Sequence, residues 1–196
     1  MDEADLDYAR KHLAASRDAF AKAAEDADFV AALGKIAAAM AACLKRGGKI
    51  LLCGNGGSAA DAQHIAGELV SRFYFDRPAL PGLALTTDTS ILTAIGNDYG
   101  YEQLFTRQIE GLGMAGDVAF GISTSGRSKN VESALAAAKA RGLLTIAMTG
   151  RDGGRMGADA DIHLNVAEAA TPRIQEVHRT IMHAVCTLID RSIRGS

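Results

Sequence analysis

The chain is short of the residues that build disulfide frameworks and of the positive charge that grips nucleic acid. Its three cysteines, Cys43, Cys53 and Cys186, are scattered through 196 residues and sit in apolar segments. An odd, widely spaced set of this kind fits reduced core thiols and argues against a disulfide scaffold. Formal net charge is −2, with acidic and basic residues interleaved. No basic face is therefore available to neutralise a phosphodiester backbone, and no nucleic-acid partner is expected. The opening MDEADLDYARKHL lacks the basic-then-apolar order of a secretory signal, and no apolar run approaches the length of a membrane span. No membrane partner is expected, and the expected location is the cytoplasm.

What is present suits a globular α/β domain. Hydrophobic residues make up 48% and charged residues 22%, which excludes a disordered chain, and the length suffices to bury a core without metal or disulfide staples. Residues 1–46 carry apolar positions such as Leu13, Phe20, Val30, Leu33, Ile36, Met40 and Leu44 at mostly helical spacings. They predict an N-terminal helical extension of two helices with a break around Asp26 to Asp28. Five short apolar runs follow, at Lys49–Cys53, Leu80–Thr86, Asp117–Ser123, Leu143–Thr149 and Asp161–Val166. Each reads as a strand buried on both faces, with helical stretches between.

Repeated βαβ units of this kind give a three-layer, doubly wound, five-stranded parallel sheet, with long helices at both ends of a single domain spanning 1–196. Ligands of such sheets gather at the carboxyl ends of the strands. From Pro172 to Arg191, the residues Ile174, Val177, Ile181, Val185 and Leu188 line one face of a long amphipathic helix.

Two turns are built to hold an anion. Gly54-Asn55-Gly56-Gly57-Ser58 joins a buried strand directly to a helix. Small residues there let backbone N–H groups approach a ligand at a helix N-terminus. The same stretch matches G-x-G-x-x-A loosely, which raises a nicotinamide-dependent dehydrogenase as a rival. The second turn, Ser123-Thr124-Ser125-Gly126-Arg127-Ser128, offers four hydroxyls, of which a helix cap accounts for one. Each hydrogen bond to a phosphate there would contribute roughly 1.5–3 kcal/mol. A dehydrogenase needs no second turn of this type, and so short a chain leaves little room for a substrate domain, so the rival is demoted.

On the helix starting near Ser58, Ala62, Ile65, Ala66, Leu69 and Phe73 form the apolar stripe, while Asp61, His64, Glu68 and Arg72 share another face. On the last helix His178 falls in the apolar stripe and reads as a packed core or interface residue, whereas Gln175, Arg179 and His183 share a polar strip. Imidazole and carboxylate groups together suit either a transition metal or proton transfer between adjacent carbons. Spacing alone leaves both uses open.

Gly54-Asn-Gly-Gly-Ser-Ala-Ala-Asp-Ala-Gln-His64-Ile-Ala-Gly-Glu68-Leu, then Thr93-Ala-Ile-Gly-Asn97-Asp98, Ser123-Thr-Ser-Gly-Arg-Ser128 and Arg173-Ile-Gln175-Glu-Val-His178 resemble the phosphoheptose isomerase family of SIS (sugar isomerase) domains, in order and across nearly the whole chain. The resemblance implies conversion of D-sedoheptulose 7-phosphate to D-glycero-D-manno-heptose 7-phosphate through an enediol, the first step toward ADP-heptose for lipopolysaccharide or related surface glycans. It further implies that Asn55, Gly56, Gly57, Ser58, Asn97 and Asp98 hold the sugar and that Ser123, Thr124, Ser125 and Ser128 hold the phosphate. Gln175 and Glu68 also join the substrate contacts. His64, Glu68, Gln175 and His183 match the family's ligands for one zinc per subunit, and Glu68 and His183 match its base and acid. A homotetramer is implied as well. The alternatives within the fold are a non-catalytic SIS protein that binds the replication initiator DnaA and a module that only senses a sugar phosphate. Neither needs the Glu68 and His183 pair.

Overall fold

A computed structural model describes residues 2–195; Met1 and Ser196, the ends of the expected single domain, lie outside the described residues. Helices α1 (Glu3–Glu25) and α2 (Ala27–Lys45) meet at Asp26, where the break was expected. The Asp26 carboxylate accepts from the amides of Asp28 and Phe29 and so caps α2. Asp2 caps α1 in the same way, with Asp5 returning the bond. At 19 residues α2 has the length and apolar composition of a membrane-crossing helix, a feature the sequence reading missed. Its Ile36, Ala37, Met40, Ala41, Cys43 and Leu44 are spent inside the protein.

The strands are β1 (Ile50–Gly54), β2 (Gly82–Ala84), β3 (Val118–Ser123), β4 (Leu144–Gly150) and β5 (Ile162–Val166). They form one parallel sheet in the order β2-β1-β3-β4-β5. Between them run α3 (Gly57–Val70), α4 (Thr89–Asp98), a 3₁₀ turn over Tyr101–Gln103, α5 (Thr106–Leu112), α6 (Lys129–Ala140) and α7 (Gly154–Asp159). The 24-residue α8 (Thr171–Arg194) closes the chain, with Pro172 in its first turn.

Alternation along the strands divides the core. Ile50, Leu52, Val118, Phe120, Ile122, Ile146 and Met148 face α2, α3 and α8. Their neighbours Leu51, Cys53, Ala119 and Ala147 face α5, α6 and α7. Each large apolar side chain removed from water contributes about 1.5–3 kcal/mol. The expectation of burial on both faces holds for β1 and β3, whose residues are all buried. It fails at the sheet edges: Leu83 in β2 is exposed, and Ile162, His163 and Asn165 in β5 are half-buried. An edge strand has a neighbour on one side only, and short apolar runs do not reveal their place in the order.

The order reverses between β1 and β3, since the chain leaves β1 for one side and returns to the other. That places the carboxyl ends of β1 and β3 at the crevice where α/β sheets bind ligands. Both anion-type turns occupy it.

Candidate functional site

Gly56 takes φ 55° at the N-cap of α3, a conformation that favours glycine, and offers no capping side chain. Asn55 makes a reciprocal amide pair with buried Asn130 of α6, 2.9 Å in both directions, and its Oδ1 also accepts from the Tyr101 hydroxyl. Asn55 and Tyr101 line a 320 Å³ cleft together with Thr93 and Gly96 of α4. Sequence reading missed Asn130 and Tyr101. Asn130 lies two residues beyond the second turn, but nothing in the linear pattern joins it to Asn55. Asn97 and Asp98 stand next to Gly96 at the exposed end of α4, joined to each other by a 2.8 Å hydrogen bond.

In the second turn the Ser123 hydroxyl lies 2.8 Å from that of Ser128 and 3.3 Å from that of Ser125. Ser128 occupies the N-cap of α6 yet makes no side-chain capping bond. The expectation that one hydroxyl would be consumed as a cap is therefore not met: three converge on one another, above a helix N-terminus that favours negative charge. Thr124 is half-buried between them. Gly126, at φ 62°, has no room for a Cβ because the carbonyl of Gly153 fills the space. Ser58, expected with the sugar contacts, is buried behind Gly54 at the start of α3.

The third group spans α3 and α8. His64 Nε2 is 3.0 Å from Glu68 Oε1, as one helical turn requires, and 3.2 Å from His183 Nε2 across the helix pair. One ligand atom from each residue can be chosen so that all lie within 4.8 Å of one another. Tetrahedral zinc, with bonds of about 2.0–2.1 Å to nitrogen, places its ligands about 3.3 Å apart, so two imidazoles and a carboxylate at this spacing fit such an ion. Gln175, the fourth expected ligand, stands two turns earlier on α8 with its amide against Gly57, in a cleft shared with Asp61 and Arg179.

The arrangement has supports that the sequence did not announce. Buried Asp61 accepts from Arg179 Nε and Nη2 at 3.1 and 2.9 Å, tying α3 to α8 one turn before the histidines. The Phe73 ring stacks on His183, with centroids 5.6 Å apart. The apolar stripe was expected to carry Phe73 on the helix, but α3 stops at Val70, so Arg72 and Phe73 lie beyond it. His178 is fully buried, as expected, and its Nε2 donates to the Thr149 carbonyl at 2.9 Å. Burial pushes its pKa down to about 4, so the ring is neutral and takes no part in proton transfer near pH 7. The three cysteines are free and buried, as expected. Desolvation raises Cys53 and Cys186 to about 12, which leaves both as inert thiols.

Residues 12–150 match the SIS domain family. The chain is 53% identical over 195 residues to the phosphoheptose isomerase of Burkholderia pseudomallei, covering 100% of this chain and 99% of that one. With the phosphoheptose isomerase of Aneurinibacillus thermoaerophilus it shares 51% over 187 residues, 95% of this chain and 94% of the relative. Among solved structures, the phosphoheptose isomerase of Neisseria gonorrhoeae superposes with a TM-score of 0.89 at 48% identity, covering 94% and 98% of the two chains. That of Francisella tularensis gives 0.91 at 38% identity, over 95% and 98%.

Proposed function

The chain belongs to the phosphoheptose isomerase family of SIS-domain proteins and is an isomerase, and on that premise we propose how its residues convert D-sedoheptulose 7-phosphate to D-glycero-D-manno-heptose 7-phosphate. Moving a carbonyl from C2 to C1 needs a base to take the C1 proton, an acid to protonate the C2 oxygen, and return of a proton to C2 as the enediol collapses. Glu68 is the base. His183 is the acid, and it later accepts the proton of the C1 hydroxyl as the aldehyde forms. The observation that carries this reading is the approach of His183 to His64, 119 residues apart in sequence, which places an imidazole beside the Glu68 carboxylate.

The phosphate lies on the converging hydroxyls of Ser123, Ser125 and Ser128 with Thr124, and the sugar contacts run along Asn55, Gly56, Gly57, Asn97, Asp98 and Gln175, with the buried Ser58 backing the first turn from behind Gly54. His64, Glu68 and His183 would hold one zinc per subunit, with Gln175 proposed as fourth ligand although its amide lies against Gly57, two turns along α8. A zinc ion there would supply Lewis-acidic charge that eases loss of the C1 proton. The chain works as one SIS domain over 1–196, residues 1–46 being its helical extension, in the cytoplasm and as a homotetramer that feeds ADP-heptose synthesis for surface polysaccharide. The assembly is supported by exposed Leu6 and Leu13 on α1 and by an apolar groove among Phe20, Phe29, Val30, Leu33 and Ile181.

Purified protein is expected to turn over sedoheptulose 7-phosphate, to carry zinc by elemental analysis, and to show a tetrameric mass by light scattering. Absence of turnover with zinc supplied would return the chain to the sensing or DnaA-binding alternatives. A monomer that keeps full activity would remove the tetramer.

A further inference from the structure

Segment 71–81, between α3 and β2, lies along one side of α8 and is fastened to it at three points. Phe73 stacks on His183 with the ring planes 21° apart. Arg77 Nε donates to Asp190 Oδ1 at 2.6 Å, and the Arg194 guanidinium sits 4.2 Å from the centre of the Phe75 ring. Positions 183, 190 and 194 are separated by seven and four residues, which keeps them on one face of a helix. The central fastening is also the driest: the Arg77 and Asp190 side chains are 4% and 1% exposed.

The same guanidinium reaches back to α3. It donates to the carbonyls of Glu68 and Leu69, both at 2.8 Å, which are the groups a helix leaves unpaired at its end. One side chain therefore joins the backbone of Glu68 to the helix that carries His183. A buried ion pair is a poor device for stability, because desolvation offsets its Coulomb energy. Asp190 Oδ2, moreover, is buried without a partner among the described residues. Geometry is the better account of why charge is placed there, since a planar fork presents donors in fixed directions to a carboxylate and two carbonyls at once.

We propose that segment 71–81 is a strap and that Arg77, its anchor, is a positioning residue which sets the placement of Glu68 against His183. The inference rests on the reading that those two residues act together. In Arg77→Lys the charge stays and the fork is lost, so kcat should fall about tenfold or more while KM for the sugar phosphate stays within about threefold. The double variant R77M/D190L leaves no unpaired buried charge, and it should show the same split, weaker zinc binding in a chelator competition, and a His64–His183 separation in its crystal structure that departs from 3.2 Å.

A folded double variant with unchanged kcat, zinc affinity and histidine spacing, altered only in melting temperature, would reduce Arg77 to packing and overturn the proposal. Should both Arg77 variants fail to fold, Phe73→Leu decides, since it loosens the strap without touching the buried pair: an unchanged kcat there overturns the proposal too. If the wild-type protein proves inactive, the functional reading fails by itself, and the zinc affinity and histidine spacing of the variants still judge the strap.

Discussion

The serine turn and the α3–α8 cluster, the two halves of the proposed site, are made in opposite ways. The turn draws its hydroxyls from six consecutive residues, Ser123 to Ser128, placed by the end of β3 and the start of α6. The cluster joins His64 and Glu68 to His183 across most of the chain, and holds them with ion pairs between Asp61 and Arg179 and between Arg77 and Asp190. A site written into one loop survives as long as the loop does. One assembled between helices depends on whatever fixes the helices, and damage far from the chemistry reaches it.

The sharpest way to separate the halves is to disable each and compare rate with affinity. Glu68→Gln and His183→Gln should each lower kcat by about 10²–10⁴-fold with a much smaller change in phosphate affinity. A near-normal kcat in Glu68→Gln would end its assignment as the base. Replacing Ser123, Thr124 and Ser128 together with Ala should do the reverse, raising KM by about tenfold or more while the fold, followed by circular dichroism, stays intact. An unchanged KM would take the phosphate away from that turn.

A smaller effect tests how the halves are joined. His178 links α8 to Thr149 at the end of β4, beside Gly150, which packs against the Thr124 carbonyl. Burial depresses its pKa to about 4, whereas an unfolded histidine titrates near 6.5. The neutral ring therefore contributes its full stability above about pH 6.5, and that contribution is lost as pH falls toward 4, by about 3 kcal/mol in all. His163, lowered by desolvation, adds a slope of the same sign. Asp117 acts in a lower window: burial raises its carboxyl, but Lys49 and the amides of Lys49 and Met114 outweigh this and lower it, so its stabilisation fades only below the ordinary aspartate range. Urea midpoints at pH 7 and 4.5 should differ less in His178→Gln than in the wild type. Equal pH slopes would show that the ring is not held neutral.

The least effect is expected outside both halves. Arg127 and Asp152 pair on the surface, each 63% exposed. An ion pair that open to water and salt is worth little, and Asp152→Asn should leave melting temperature and KM near wild type. A large change would mean that the pair braces the serine turn, and would make that half less local than its sequence suggests.

Much of the fold is legible in the sequence because local chemistry wrote it. Alternation between apolar runs and helical stretches gave four strands to within one residue at each end, and β2 to within two, where only Gly82–Ala84 of the expected Leu80–Thr86 pairs with β1. Helical periodicity put His64 beside Glu68 and His178 in the core. It carried the stripe of α3 too far, to Phe73, because residues past a helix end can still fall on its period.

The sequence by itself determined the order of elements, the two glycine- and serine-rich turns at the crevice, and the pairing of residues one helical turn apart, since each follows from neighbours in the chain. Only the tertiary structure decided which strands are edges, that Asn130 and Tyr101 hold Asn55, and that His183 meets His64 under Phe73 with Arg77 beneath Glu68. Those contacts join positions far apart in the chain. They exist because two helices pack on the same face of one sheet, and that packing is set by the summed burial of the core rather than by any local pattern.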